Sequence, residues 1–88
     1  MARVSHHVRQ RVLERMPGIE TVNEALLISL WMSGRTPDKA DFTRYGIAKI
    51  AGRAYRIFQY TDQPYMLIID QRDGEFITVL KLKEVQGG

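Results

Sequence analysis

The sequence of 88 residues has no cysteine and no long apolar run. Without cysteine, the chain forms no disulfide and offers no thiolate to a metal, which excludes disulfide frameworks and cysteine zinc sites. No apolar stretch approaches the roughly 20 residues that cross a bilayer, so no membrane-spanning segment is predicted. The arginine-containing start of the chain does not have the pattern of a signal peptide, and we expect a cytoplasmic protein.

Acidic residues are scarce at the start of the chain. Residues 1–18 hold four arginines and two histidines but a single acid, Glu14, within an overall net charge of +3. Nine of the 13 basic residues are arginine, whose planar guanidinium suits paired contacts with phosphate or carboxylate. Such a patch favours a nucleic-acid backbone or an acidic protein surface, and charge alone does not separate these partners. A solvated basic face is the alternative.

The length and composition predict one domain that spans residues 1–88. Hydrophobic residues make up 44% of the chain and charged residues 26%, as in ordinary globular proteins with a single core. A flexible tail is expected from about residue 84, ending in Gly87-Gly88. The diglycine is similar to the end of ubiquitin-like modifiers, but those folds open with a β-hairpin, whereas this chain is predicted to open with helices.

Two helices are predicted in the first half of the chain. The first begins after Ser5 as N-cap and ends by Met16, because a proline follows directly. The second follows the capping-box pattern of residues 21–24 and ends at Gly34. Its apolar residues lie nearly all round, so we expect it to be largely buried against a sheet, with Trp31 inside.

The second half of the chain has the pattern of an antiparallel sheet. Residues 39–51 fit a short helix as well as a short strand. Three strands with turns between them are predicted at residues 53–60, 65–70 and 76–82. The middle strand is apolar at consecutive positions, which predicts a central strand covered on both faces. The expected fold class is α+β, with two N-terminal helices packed on a C-terminal antiparallel sheet of three or four strands.

The first helix carries the clearest candidate site. His7, Arg11 and Arg15 are spaced by four residues and share one helix face. Like charges at this spacing repel, so an anionic ligand would compensate the row. The row lies beside an apolar stripe, which predicts His7 at the rim of the core and His6 in solvent. The stripe consists of Val4, Val8, Val12 and Met16.

Secondary candidates come from the strands. Tyr55 and Arg56 face opposite sides of one strand, and whichever faces the helix can join the row. Thr78 is a lone polar residue among Phe76, Leu80 and Leu82 on one predicted strand face, and a core threonine bonded to backbone is the alternative. No metal site or cofactor is predicted, because His6 and His7 are adjacent, have no second ligand at helical spacing, and the glycines are isolated.

The helix from His7 to Arg15 resembles the opening helix of small toxin-like bacterial domains with a His-Ala-x-x-Arg-x-x-Glu-Arg signature. That family continues with a second helix and a strand meander, and its last strand often contains Thr-Val, as at Thr78-Val79 here. The layout is similar to RelE/ParE-type and barnase-like ribonuclease toxins, and the resemblance runs from Val4 to Lys83. This chain departs from the signature at Val8 and in the Met-Pro-Gly that ends the helix.

The resemblance implies a toxin-like, metal-independent RNA endonuclease or RNA-binding protein. Metal-free cleavage needs a group that takes the 2′-hydroxyl proton and cations that hold the phosphate. His7 suits the first role, and Arg11 and Arg15, with Arg9, suit the second. A toxin would have a neutralising antitoxin as partner. The alternative is a non-catalytic, phage- or mobile-element-encoded module that docks its arginines on an acidic host protein.

Overall fold

The computed structural model describes residues 4–85, which form three helices followed by a three-stranded antiparallel sheet. The helices are α1 (His6–Arg15), α2 (Glu24–Ser33) and α3 (Lys39–Tyr45), and the strands are β1 (Arg53–Tyr60), β2 (Gln63–Asp70) and β3 (Phe76–Lys81). The strand order is β1-β2-β3, so β2 is central. The α+β class is confirmed, whereas a third helix precedes the sheet and the described sheet stops at three strands.

Helix α1 packs on β3 through a narrow apolar face. Ser5 caps the helix by accepting a hydrogen bond from the backbone of Val8, as predicted. Val8, Val12 and Met16 are fully buried in the core. The C-terminal end of the helix is fixed by Tyr65, whose hydroxyl donates to the carbonyl of residue 15 at 2.6 Å. Burial raises the pKa of the Tyr65 hydroxyl.

Helix α2 is less buried than its composition suggests. Its N-cap is Asn23, whose side chain accepts a hydrogen bond from the backbone of Leu26 at 2.9 Å. Leu27 is fully buried, but Ile28 is 43% exposed and Met32 is 73% exposed. The expectation that α2 is largely buried against the sheet was therefore wrong, because α2 rests on the edge strand β1 and one side of it faces solvent.

The segment that the pattern left ambiguous begins as helix α3. Asp38 and Asp41 form a reciprocal capping box, in which each side chain accepts a hydrogen bond from the other residue's backbone. The helix ends at Gly46, which adopts the left-handed conformation with φ of 63°. Carboxylates in both positions satisfy backbone donors that a short helix would otherwise leave unpaired. This local chemistry decides between helix and strand.

Both faces of the sheet are covered, as expected for the apolar middle strand. The face toward α1 and α2 includes Tyr65 and Leu67, and the face toward α3 includes Met66 and Ile68. We call these the α1/α2 face and the α3 face. Because β1 is an edge strand, residues from its two faces can meet at that edge.

Strand β3 does not alternate strictly. The pairing with β2 shifts by one residue between Ile68 and Ile69, which is a β-bulge. Phe76 therefore packs with the α1/α2 core, whereas Leu80 and Leu82 pack with the α3 cluster. The expectation that Phe76, Thr78, Leu80 and Leu82 all share one face was wrong at Phe76, because a bulge reverses the phase of the strand.

The ends of the strands differ slightly from expectation. Thr61 and Asp62 both have positive φ, at 50° and 61°, and make a two-residue hairpin, so β2 already starts at Gln63.

Near the end of the described chain, the backbone N–H of Val85 donates to the carbonyl of Arg44 at 2.9 Å. The diglycine at 87–88 lies outside the described residues. No helix within residues 4–85 is long and apolar enough to span a bilayer.

Candidate functional site

The arginines of the α1 row make contacts within the protein. One guanidinium nitrogen of Arg15 donates to the carbonyl oxygen of Val79 in β3 at 2.6 Å. Arg11 forms an ion pair with Glu14 at 3.1 Å. The pKa of the Glu14 carboxyl is lowered by the hydrogen bond from Gln10 and by Arg11. The guanidinium of Arg15 therefore holds α1 to the sheet, and that of Arg11 is partly neutralised.

His7 is exposed, as His6 is, and does not lie at the rim of the core. Val4, which precedes the N-cap of α1 on the apolar stripe, is only half-buried, so the core does not extend to the start of the helix. A shallow groove on the outer side of α1 includes His6 and Arg9 but not His7. Its lining residues are His6, Arg9, Gln10, Leu13 and Glu14.

The sheet separates two of the secondary candidates from α1. Ile68 in the central strand pairs with Thr78 of β3 on one side and with Tyr55 of β1 on the other, and these residues lie on the α3 face. Arg56 lies opposite Leu67 in the sheet, on the α1/α2 face. Because Arg56 belongs to the edge strand β1, its side chain lies beside α2 and not beside α1. Tyr55 and Arg56 do face opposite sides, as predicted, and neither is brought to the α1 row.

Arg56 and Tyr55 instead line a cavity of about 220 Å³ at the edge of β1, which we call the basic cavity. It combines cations with aromatic rings, and none of its described lining residues is acidic. The cations are Lys49, Arg53 and Arg56, the aromatic residues are Trp31, Phe42 and Tyr55, and the remaining residues are Thr36, Pro37, Ala54 and Gln71.

The connection after α2 places Trp31 beside Arg56. Arg35, the residue after Gly34, pairs with the edge strand β1. Its backbone exchanges two hydrogen bonds of 2.9 Å with the backbone of Ile57. A Cβ on Gly34 would lie 2.9 Å from the carbonyl oxygen of Ile57, so this close approach needs glycine. The Arg56 guanidinium then lies 5.1 Å from the centre of the Trp31 ring, a cation–π contact.

The other wall of the basic cavity comes from α3 and the loop after it. Phe42 packs edge-on against Tyr55, with ring centres 5.1 Å apart. The Tyr55 hydroxyl accepts a hydrogen bond from the backbone of Ile50 at 2.8 Å, which ties the loop to β1. Lys49 in that loop lies 5.9 Å from the centre of the Phe42 ring. The loop thereby brings a second cation to the aromatic wall.

The cations of the basic cavity are not neutralised by neighbouring side chains. Lys49, Arg53 and Arg56 make no ion pair with any residue among positions 4–85. Asp70 lies opposite Arg53 across the strands without an ion pair between them, and its carboxylate lies 3.8 Å from the guanidinium of Arg72. Positive charge in a concave site beside aromatic faces suits an anionic ligand with planar rings.

Only part of this cavity was predicted from the sequence. Tyr55 and Arg56 were secondary candidates, whereas Trp31 was assigned to the core and Lys49 fell in the ambiguous segment. Arg53 was passed over as the first residue of a strand. The available signal was the run from Arg53 to Arg56, where cations flank an aromatic residue on a predicted strand.

Comparison with known protein families, curated proteins and solved structures finds no match to this chain. The toxin-like assignment therefore stays a prediction from the motif in α1. Among residues 4–85, no three histidine, aspartate or glutamate side chains are grouped in a way that could hold a metal ion. The candidate site is thus described by its own side chains alone.

Proposed function

We propose that this protein binds single-stranded RNA through the basic cavity. One observation carries the proposal: three cations meet three aromatic side chains in one concave site, and among residues 4–85 these cations have no ion-pair partner and no carboxylate lines the site. Single-stranded nucleic acids are bound by this combination, in which cations contact phosphates and aromatic faces stack on bases. The function is binding, and it needs no reaction at this site.

The mixture of groups favours RNA over an acidic protein. Carboxylates of a protein partner would use the cations but leave the rings of Trp31 and Phe42 without a planar partner. A nucleotide supplies both an anion and a flat ring. Thr36 and Gln71 add a hydroxyl and an amide that suit the ribose 2′-hydroxyl, which distinguishes RNA from DNA.

The α1 row gives less support for the same ligand. Arg15 is bonded to the sheet and Arg11 is paired with Glu14, so two of its three members already have partners. Cleavage by His7 as general base stays a prediction of the sequence, as does an antitoxin partner. Docking of α1 on an acidic host protein is the alternative, and the groove that includes Arg9 is where it would occur.

The proposal is tested by titrating a fluorescently labelled RNA of about 8 nucleotides and measuring anisotropy. We expect binding at low salt that weakens steeply between about 50 and 200 mM salt, because phosphate contacts release counterions. Each phosphate contact contributes about 0.7 to the slope of log affinity against log salt for a single strand. The same titration with DNA of equal sequence measures the contribution of the 2′-hydroxyl.

Matched variants locate the site. Arg53→Gln should weaken binding and lower the salt slope by about 0.7, because it removes one phosphate contact. Arg44→Gln makes the same charge change at an exposed side chain that lies outside the basic cavity, so it should bind as the unmodified protein does. Arg11→Gln provides the corresponding change on the α1 row.

Two results would contradict the proposal. One is the absence of RNA binding at low salt, which would leave the acidic-protein alternative. The other is a loss at Arg11→Gln with none at Arg53→Gln, which would move the site to α1. Circular dichroism of each variant establishes that the fold is retained.

A further inference from the structure

Trp31 lies between two cavities of different character. One is the basic cavity, and the other is an apolar cavity of about 160 Å³ next to the hairpin between β2 and β3. The apolar cavity is lined by Ile28, Trp31, Ile69, Gly74 and Phe76, with no charged side chain among these residues. The indole is therefore the shared wall of a charged site and an uncharged one.

We propose that one nucleotide straddles Trp31, with its base in the apolar cavity and its phosphate between Arg53 and Arg56 in the basic cavity. This inference rests on the proposed RNA binding and specifies how one unit of the strand is held. A nucleotide has this division of character, since its base presents apolar faces and its phosphate is an anion. The two halves of the ligand correspond to the two sides of the indole.

The volumes of the two cavities fit a ligand that occupies both of them better than a ligand that occupies one. Small-molecule sites usually enclose roughly 300 to 1,000 Å³, and each cavity alone is smaller, at about 220 and 160 Å³. Taken together they reach the lower end of that range. A ligand that filled one cavity alone would be smaller than a nucleotide.

Arg56 can exchange its hydrogen bond to Gly34 for a contact with the phosphate of the bound nucleotide. Its guanidinium covers part of the Trp31 ring and makes one long hydrogen bond of 3.3 Å to the carbonyl oxygen of Gly34. A hydrogen bond of that length is weak, whereas a guanidinium–phosphate contact is charge-assisted and shorter. Arg56 therefore loses little on turning from Gly34 toward a phosphate.

The lining of the apolar cavity also predicts that the site does not distinguish one base from another. Its lining side chains within residues 4–85 offer no hydrogen-bonding group that could distinguish the edges of different bases, apart from the indole N–H of Trp31. Stacking is available to every base because every base has a flat face. We therefore expect binding that requires a base but depends weakly on which base it is.

The chain has one tryptophan, so fluorescence excited beyond the absorption band of tyrosine reports on Trp31 alone. The probes are an oligouridine of about 8 nucleotides and an abasic ribose-phosphate oligomer of the same length. Oligouridine should change the Trp31 emission and bind about 5- to 150-fold more tightly than the abasic oligomer, the range expected from stacking of one base. Oligoadenosine should behave as oligouridine does, within a few fold.

Two variants of α2 separate the base site from general charge effects. Ile28→Glu places a carboxylate at the apolar cavity and should reduce affinity for oligouridine to that for the abasic oligomer. Met32→Glu makes the same charge change on the same helix, at a side chain that is 73% exposed and lines neither cavity. Met32→Glu should keep both the emission change and the preference for oligouridine.

The outcomes distinguish this inference from the proposed function. Equal affinity for oligouridine and the abasic oligomer, together with unchanged Trp31 emission, would overturn the straddled nucleotide but leave RNA binding standing. Equal losses at Ile28→Glu and Met32→Glu would overturn it in the same way. Absence of binding by every oligomer in the anisotropy titration would overturn the proposed function itself.

Discussion

At the scale of single residues, arginines of the same formal charge have different surroundings. Arg15 donates to a backbone carbonyl of β3, Arg35 holds Asp41, and Arg53 has no ion-pair partner in the described chain. An arginine that satisfies the protein's own acceptors contributes to stability, and one without such acceptors is available to a ligand. Composition counts these residues alike, and only their contacts separate them.

Arg15→Ala should lower the free energy of unfolding by about 1 to 2 kcal/mol. The substitution removes the hydrogen bond to Val79 and with it a link between α1 and the sheet. Arg9→Ala, at an exposed position of the same helix, should change stability by less than about 0.5 kcal/mol. Urea unfolding followed by circular dichroism measures both. Equal effects at the two positions would contradict the structural role of Arg15.

The two histidines provide the test of cleavage. If α1 carries the reaction predicted from its motif, His7→Ala should reduce metal-independent RNA cleavage by about 100- to 10,000-fold, the usual contribution of a general acid or base. His6→Ala should cleave at an unchanged rate. Both side chains are exposed, so neither substitution should disturb the fold. Cleavage by the purified protein in EDTA that survives His7→Ala would remove His7 from the reaction.

At the scale of elements, one ion pair joins the connection after α2 to the first turn of α3. Arg35 donates two hydrogen bonds to the carboxylate of Asp41, at 2.7 and 3.0 Å, and the Asp41 side chain is 7% exposed. The hydrogen bonds from Arg35, and that from the backbone of Asp38, hold the pKa of Asp41 well below its usual range. The hydrogen bonds to the Asp41 carboxylate raise the pKa of Arg35.

Acid should therefore weaken the fold through Asp41. Its pKa is lower in the folded than in the unfolded state, so the stabilisation is fully present above the unfolded pKa of about 3.9 and is lost as the pH falls below it. Asp41→Asn should cost about 1 to 2 kcal/mol at neutral pH, since the Arg35 side chain is 56% exposed and solvent screens the pair. The variant should also lose less stability on acidification.

Thermal unfolding between about pH 6 and pH 2.5 measures this difference. Asp38→Asn is the closest comparison, because it keeps a good N-cap residue and leaves the Arg35–Asp41 pair intact. An Asp41→Asn protein that loses as much stability between these pH values as the unmodified protein would contradict the assignment. Acid sensitivity would then come from other carboxylates.

Elements were predictable where the signal is local. The Ser5 cap and the proline after Met16 define α1, and the strand β1 was predicted at its observed bounds. The bulge in β3 was not predictable, because one extra residue leaves no composition signal. The exposure of Ile28 and Met32 depends on how far the sheet extends under α2, which the sequence of α2 does not contain.

At the scale of the whole molecule, the two candidate sites differ in how they are assembled. The α1 row is visible in sequence because its members repeat every four residues along one helix. The basic cavity draws on α2, α3, the following loop and β1, so its residues are distant in sequence and no spacing rule finds them. The edge position of β1 joins them, because side chains from both sheet faces reach the same edge.

A titration followed by two-dimensional nuclear magnetic resonance tests whether single-stranded RNA binds at the edge of β1. Oligouridine is added to uniformly ¹⁵N-labelled protein at low salt, and the amide shifts are mapped on the fold. We expect the largest changes at the indole N–H of Trp31 and at amides 49–56, with small changes along α1. Shifts concentrated in residues 6–15, with Trp31 and residues 49–56 unmoved, would contradict it.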